Sequence, residues 1–513
     1  MCPSNESQTS LCGDHCIVSK GGENGGLERE GGGETAKINP LFAYWPPFNE
    51  VSEELTSLGK ITYPIVITGF LLYSRSIISM LFLGHLGDIE LAGGSLSIGF
   101  ANITGYSVIK GLAMGMDPIC GQAYGAKRWA ILSQTYQKTL ILLLLASIPI
   151  SLLWLNMEPI LLWLGQDLTI TSTARIYITF SLPDLLGQAH LQPLMIFLRT
   201  QSLTTPLTLA ATAALILHLP INYLLVVHLN LGVKGVALAS TWTTLNLNLG
   251  LLVYLVFSKK ALKPWDGLTA VGFFRGWCLL LKLAMPSVVS VCLEWWWYEV
   301  MLILCGLLSN PRASVAAMGI LIQTTGLIYV FPSSISSGLS TRVGNELGAG
   351  RPTRAQWATK VGLAVATACG LSAFAFTTAV RNVWGKMFTS EPQILVLTSI
   401  ALPIVGFCEL GNCPQTAGCG VMMGSARATV GAHINFGAFY LIGLPVAAIL
   451  GFGLKIGFFG LWFGLVAAQA SCVFMMVRAI RCTDWKLQAE RAKELTEAAE
   501  GENDDLEASL LLH

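Results

Sequence analysis

The sequence predicts an all-α integral membrane protein of about twelve transmembrane helices, folded as two pseudo-symmetric six-helix bundles. Composition supplies the first reason. Of 513 residues, 53% are hydrophobic and only 12% charged, and the mean hydropathy is +0.61, so there are too few charges to clothe a soluble protein of this length. Segmentation supplies the second. Between Ile61 and Ile480 about twelve stretches carry the roughly 20 mainly apolar residues that a bilayer crossing needs. An internal repeat supplies the third.

The expected spans are 61–83, 92–116, 136–157, 170–195, 206–228, 233–257, 279–308, 313–340, 358–380, 394–418, 428–451 and 456–480. At membrane depth the backbone must satisfy its own hydrogen bonds, so each is read as a helix. In the repeat, GMDPICGQAYGAKR (115–128) recurs as GLSTRVGNELGAGR (338–351), a shift of about 223 residues that superposes three glycines, an alanine and an arginine. Pro220, Gly232 and Gly235 match Pro445, Gly457 and Gly460 at nearly the same shift. Six spans separate equivalent points, so both halves insert with one orientation, a design shared by transporters with a site between two bundles. The expected boundaries are a disordered tail over 1–55, one lobe over 56–260, a second over 261–482, and a tail over 483–513.

The glycine-rich, charged start lacks apolar periodicity, which predicts disorder, and with no apolar core before Lys60 no signal peptide is expected. The stretch KLQAERAKELTEAAE fits a short solvated helix. Basic residues set orientation. With the N-terminus in the cytoplasm, Lys127, Arg128, Arg199, Lys259, Lys260, Lys263, Arg275, Arg342, Arg351, Arg354, Arg478, Arg481 and Lys486 fall inside, which predicts two cytoplasmic termini. A net charge of +1 suggests no nucleic-acid partner. Thirteen cysteines show no zinc or disulfide spacing, and Cys408, Cys413 and Cys419 read as packing residues rather than metal ligands.

Ionisable residues within spans suggest function by default, because they are costly there. Arg75, Lys110, Asp184, Glu294, Glu299 and Glu409 qualify. Lys110 lies near the end of its span and reads as a snorkelling, structural lysine. Arg75 has no acid on its own helix and is expected to pair with one from another, as a structural charge. Asp184, after Pro183, fits a structural role and a functional one equally. Glu294 and Glu299 bracket CLEWWWYE; five residues turn a helix by about 500°, so they point about 140° apart and cannot form one paired site. Trp295, Trp296 and Trp297 offer surface for stacking on a ligand or for packing in lipid.

CLEWWWYE resembles the C-half signature of eukaryotic multidrug and toxic compound extrusion (MATE) transporters. GLAMGMDPICGQAYGAKR, STRVGNELGAGRP and ELGNCPQTAGCGV resemble the ends of their second and eighth spans and their tenth span. FLRTQSLTTP places the resemblance nearest the plant branch, and it covers residues 55 to 482. It implies two six-helix lobes and antiport that exports small organic molecules on a proton gradient, with no other cofactor. Xenobiotics, secondary metabolites and a hormone such as abscisic acid all fall within the implied substrate range. Carried over by motif, Glu294 becomes the proton-coupling residue. Glu299, Glu409, Asp184, Trp295, Trp296 and Gln415 are expected around the cavity for substrate and proton. Prokaryotic relatives often carry an acid in the first span, where this chain has Arg75, and Met423 stands where plant relatives often have a basic residue. The expected unit is a monomer in the plasma membrane or a vacuolar or late endosomal membrane.

Two other readings remain at this point. A membrane transferase would need a histidine or acidic pair near a membrane face, which His85, His190, His218, His228 and His433 do not offer. An endomembrane protein acting through its tails would use EASLLLH, which resembles an acidic dileucine sorting signal. No Walker sequence for ATP is present, which excludes a primary pump in this chain.

Overall fold

The computed structural model describes residues 45–258 and 276–500. The expected N-terminal disorder, the EASLLLH motif, and Lys259, Lys260, Lys263 and Arg275 lie outside the described residues.

Among the described residues the regular structure is helical, and ten helices are each long and apolar enough to cross a membrane. The other two crossings are interrupted. The second span runs as Asp88–Ala101, a π-helical turn Asn102–Tyr106, Ser107–Met114 and Met116–Gly125. The fourth is Leu168–Phe180 followed by Leu182–Thr200. Twelve spans result, six to a lobe. The first begins at Phe48, ahead of the expected lobe boundary, and runs to Leu86. The seventh is Trp277–Gly306, the eighth Pro311–Gly348 and the tenth Pro392–Gly424. Local chemistry marks the starts. Asp167 accepts hydrogen bonds from the backbone of Thr169 and Ile170 and from the Thr169 hydroxyl, which caps the fourth span and holds the exposed carboxyl below the usual carboxylate range. Pro311, Pro352 and Pro392 each open a helix, where the missing N–H costs nothing.

The repeat is visible in the backbone. Gly232 and Gly457 precede the sixth and twelfth spans with φ/ψ of 57/−132° and 68/−132°, a conformation that a side chain would strain. The 115–128 and 338–351 motifs meet face to face at the basic end of the molecule. A Cβ on Gly121 would sit 3.4 Å from Gly344 Cα, and one on Gly344 would sit 3.3 Å from Gly121 Cα. Gly125 abuts the Asn345 carbonyl at 2.1 Å and Gly348 the Gln122 carbonyl at 1.9 Å, measured from the same hypothetical Cβ. These are the same motif positions in each half, so the glycines let two backbones cross at close range. Gln122 then donates to Gly424 O (3.1 Å), and Asn345 to Thr200 O (3.2 Å). Arg342 of the eighth span ion-pairs with Glu54 of the first at 2.7 Å, adding a charged link across the lobes.

The final helix, Trp485–Glu500, corrects the expectation of a solvated segment. It packs on the ends of the second, third, eighth and ninth spans and buries Trp485, Ala492, Leu495 and Ala498. Its apolar positions fall on one face, and Arg128 holds it through Glu500 (2.8 Å) and Glu497 (3.7 Å).

Candidate transport cavity

A cavity of about 230 Å³ lies between the lobes, lined from the first, second, fourth, fifth, seventh, eighth, tenth and eleventh spans. Its two walls differ. The N-lobe side sets Lys110, Asp117, Gln192 and Arg199 among apolar residues such as Ile65 and Met195, whereas spans seven and eight contribute a row of serines that includes Ser287, Ser290, Ser333 and Ser337. Close helix approach shapes it: a Cβ on Gly111 or Gly115 would strike the backbone of Val288 or Ala284 at 2.6 or 2.5 Å, bringing the second span onto the seventh.

Four charged residues line this cavity: Lys110, Asp117, Arg199 and Glu294. Asp117 and Arg199 are fastened to each other at 2.6 Å, and Asp117 also accepts from Ser340 across the lobes at 2.9 Å. Glu294 has softer partners. Tyr329 and Lys110 line the cavity with it and lie within its electrostatic reach. The Lys110 ammonium lies 5.4 Å from the centre of the Trp295 ring. Lys110 thus faces the cavity rather than snorkelling away. Its place near the end of the span suggests snorkelling, but the cavity reaches that depth, down to Asp117 and Arg199, so the ammonium meets the cavity there.

Of the residues expected at the cavity, Glu294 and Trp295 line it, and five others do not. Glu299 is half-buried on another face of the seventh span. Trp296 is 42% exposed and donates its indole N–H to Ile103 O at 3.2 Å, a contact between lobes. Trp297 is fully buried against Phe439 and Tyr440. Glu409 is buried behind the cavity, where it accepts from Asn412 (2.8 Å) while the Cys413 thiol lies 3.9 Å away. Gln415 is also behind the wall, donating to Asn435 Oδ1 (3.2 Å), whose amide donates to Ser290 (3.0 Å). Gln415 is thus linked through Asn435 to the seventh span, while the partners of Glu409 lie on its own helix.

Asp184 sits inside the N-lobe, accepting from Tyr106 and Thr244 at 2.5 Å each. Arg75 donates to Thr244 Oγ1 at 2.9 Å, so the expected partnership with an acid is made through a hydroxyl rather than a direct ion pair. Among the three grouped cysteines, Cys408 and Cys413 are buried and Cys419 reaches the cavity wall.

Residue reasoning missed Asp117, Arg199 and Tyr329 as cavity residues. Asp117 was findable, since the repeat sets it opposite Ser340, its hydrogen-bond partner. Tyr329 carries no signal beyond being aromatic in an apolar span.

The MatE family model matches residues 64–224 and 286–449, and the starts of the two stretches are offset by nearly the period of the repeat. The chain belongs to the MATE family. Protein DETOXIFICATION 53 of Arabidopsis thaliana is 60% identical over 450 residues, covering 88% of this chain and 93% of the relative. Protein DETOXIFICATION 48 of the same plant is 58% identical over 462 residues, covering 90% and 87%. The crystal structure of the eukaryotic MATE transporter AtDTX14 superposes with a TM-score of 0.84 at 31% identity, over 87% of this chain and all of that one. An aspartate-to-asparagine mutant of a Vibrio cholerae MATE transporter, VcmN, shares the fold with a TM-score of 0.74 at 18% identity, over 86% of this chain and all of that one. This chain is therefore a multi-pass membrane transporter of the plant DETOXIFICATION group and not an enzyme, which removes the transferase reading.

Proposed function

We propose that this MATE transporter exports small organic molecules by alternating access, in exchange for protons, and that Glu294 carries the proton. One observation supports this above others. Of the two carboxylates on the cavity wall, Asp117 is locked to Arg199 and Ser340, whereas Glu294 shares the wall with Lys110 and Tyr329 without such a fastening. A carboxyl with such partners can gain and lose a proton as the cavity changes sides. With the basic end in the cytoplasm, the glycine crossings and the Arg342–Glu54 pair close the cytoplasmic side, and both termini lie there. Xenobiotics and secondary metabolites are the substrate range, the proton gradient is the energy source, and one chain supplies every wall of the cavity, as a working monomer requires. The membrane is the plasma membrane or a vacuolar or late endosomal one.

The test uses the full chain in proteoliposomes with an imposed pH gradient and a panel of labelled organic compounds. Export should stop with a protonophore, and Glu294→Gln, which mimics a permanently protonated carboxyl, should fall to the level of empty vesicles. Export that survives the protonophore but requires sodium would refute proton coupling.

A further inference from the structure

The cavity carries a positive charge that the transport cycle above does not use. Lys110 lines it, over Trp295 and within electrostatic reach of Glu294, while the other cation, Arg199, is neutralised by Asp117. We propose that Lys110 is a specificity-determining residue, and that with Glu294 it makes a dipolar site for zwitterionic or strongly dipolar aromatic molecules while turning away simple organic cations. The proposal rests on the proton-exchange reading and names the substrate class of the same cavity.

The argument is one of charge placement. A cavity with a lone carboxylate would collect cations. Here a cation entering toward Glu294 also meets the Lys110 ammonium on the same cavity wall, which offsets the attraction of the carboxylate. A simple anion directed at Lys110 meets Glu294 in the same way. A molecule with a donor or cationic end and an acceptor or anionic end satisfies both, and its ring can share the Trp295 face. The other titratable groups within electrostatic reach of Glu294 are Tyr298 on its own helix, Tyr329 of the eighth span, Glu409 and Cys419 of the tenth and Cys472 of the twelfth. None of these is a second cation. Arg199, which also acts on Lys110, has its own carboxylate. Proton exchange is compatible with such a ligand: a proton on Glu294 removes the negative charge that holds the cationic end and releases the molecule.

The test is equilibrium binding of three similar probes to the full chain in nanodiscs, with no gradient imposed. The probes are 4-(aminomethyl)benzoate (zwitterion), 4-methylbenzoate (anion) and 4-methylbenzylammonium (cation). Wild type should bind the zwitterion at least about tenfold more tightly than either single-charge probe, a difference of about 1.4 kcal/mol. Lys110→Gln should raise affinity for the cation to that of the zwitterion, Glu294→Gln should do so for the anion, and the double variant should lose the ranking. Lys110→Arg, which keeps the charge, should preserve the wild-type ranking and show that the glutamine variant is read in a folded protein. Cation affinity in Lys110→Gln within twofold of wild type would overturn the proposal. Because binding here needs no gradient, failure of proton coupling in proteoliposomes would leave this result standing, and the reverse also holds.

Discussion

The two lobes share a topology and a backbone symmetry, but one intramembrane acid in each, Asp184 and Glu294, is held in an opposite way. In the N-lobe, Asp184 takes short hydrogen bonds from Tyr106 and Thr244, and Arg75 balances it through the threonine hydroxyl. In the C-lobe, Glu294 faces the cavity and has partners that a ligand or proton could replace. An intramembrane charge is therefore a poor guide to function until its partners are known. Saturated and enclosed, it builds the scaffold; left on a cavity wall that it shares with a lysine, it can take part in a cycle.

The strongest way to break this contrast is Asp184→Ala. It leaves the Tyr106 and Thr244 hydroxyls without their acceptor and Arg75 without its counter-charge. Unsatisfied buried donors cost about 1–3 kcal/mol each, so a loss of about 3–5 kcal/mol of stability is expected, read as a large drop in thermal midpoint in detergent. Glu294→Gln should leave the midpoint near wild type. A stable Asp184→Ala protein that has lost only transport would move the N-lobe acid into the cycle.

Where the lobes are alike, they should respond alike. Gly125→Ala and Gly348→Ala place a methyl 2.1 Å from the Asn345 carbonyl and 1.9 Å from the Gln122 carbonyl, neither of which is a flexible side-chain end. Each should cost about 1–3 kcal/mol through forced separation of the second and eighth spans. The symmetry requires the two losses to agree, as compared by thermal midpoint. A large difference would show that only one half of the crossing is tight.

The parts of this molecule dictated by lipid were open to sequence reasoning. Twelve crossings and the duplication come from apolar length and from glycines such as Gly121 and Gly344, whose lack of a side chain is the structural requirement itself. The CLEWWWYE motif located Glu294, and helical geometry separated it from Glu299. The features that stayed hidden depend on tertiary partners. The Asp184 network draws Tyr106 and Thr244 from distant spans, and no spacing announces them. Nearness to a span end suggests a snorkelling Lys110 and does not reveal that the cavity extends to that depth, and the final helix looks solvated in sequence because its burying partners are the ends of other helices. Glu409 and Gln415 had the right neighbourhood but lie one layer behind the cavity wall.

Glu299 gives the smallest expected effect and the sharpest control. It shares a helix with Glu294, five positions on, and the helical turn carries it about 140° around the axis. The structure agrees, leaving Glu299 half-buried and off the wall that Glu294 lines. Glu299→Gln preserves size and most hydrogen-bonding capacity, so stability should stay within about 0.5 kcal/mol of wild type, as for substitutions away from packed or charged networks. Transport should stay within about twofold of wild type under the same pH gradient that silences Glu294→Gln, since 0.4 kcal/mol is about a factor of two. The pair isolates position from chemistry: the same substitution, in the same span, differs only in the face it occupies. If Glu299→Gln also abolished pH-driven export, the proton path would have to run around the helix, and the single-carboxyl account of the C-lobe would fail.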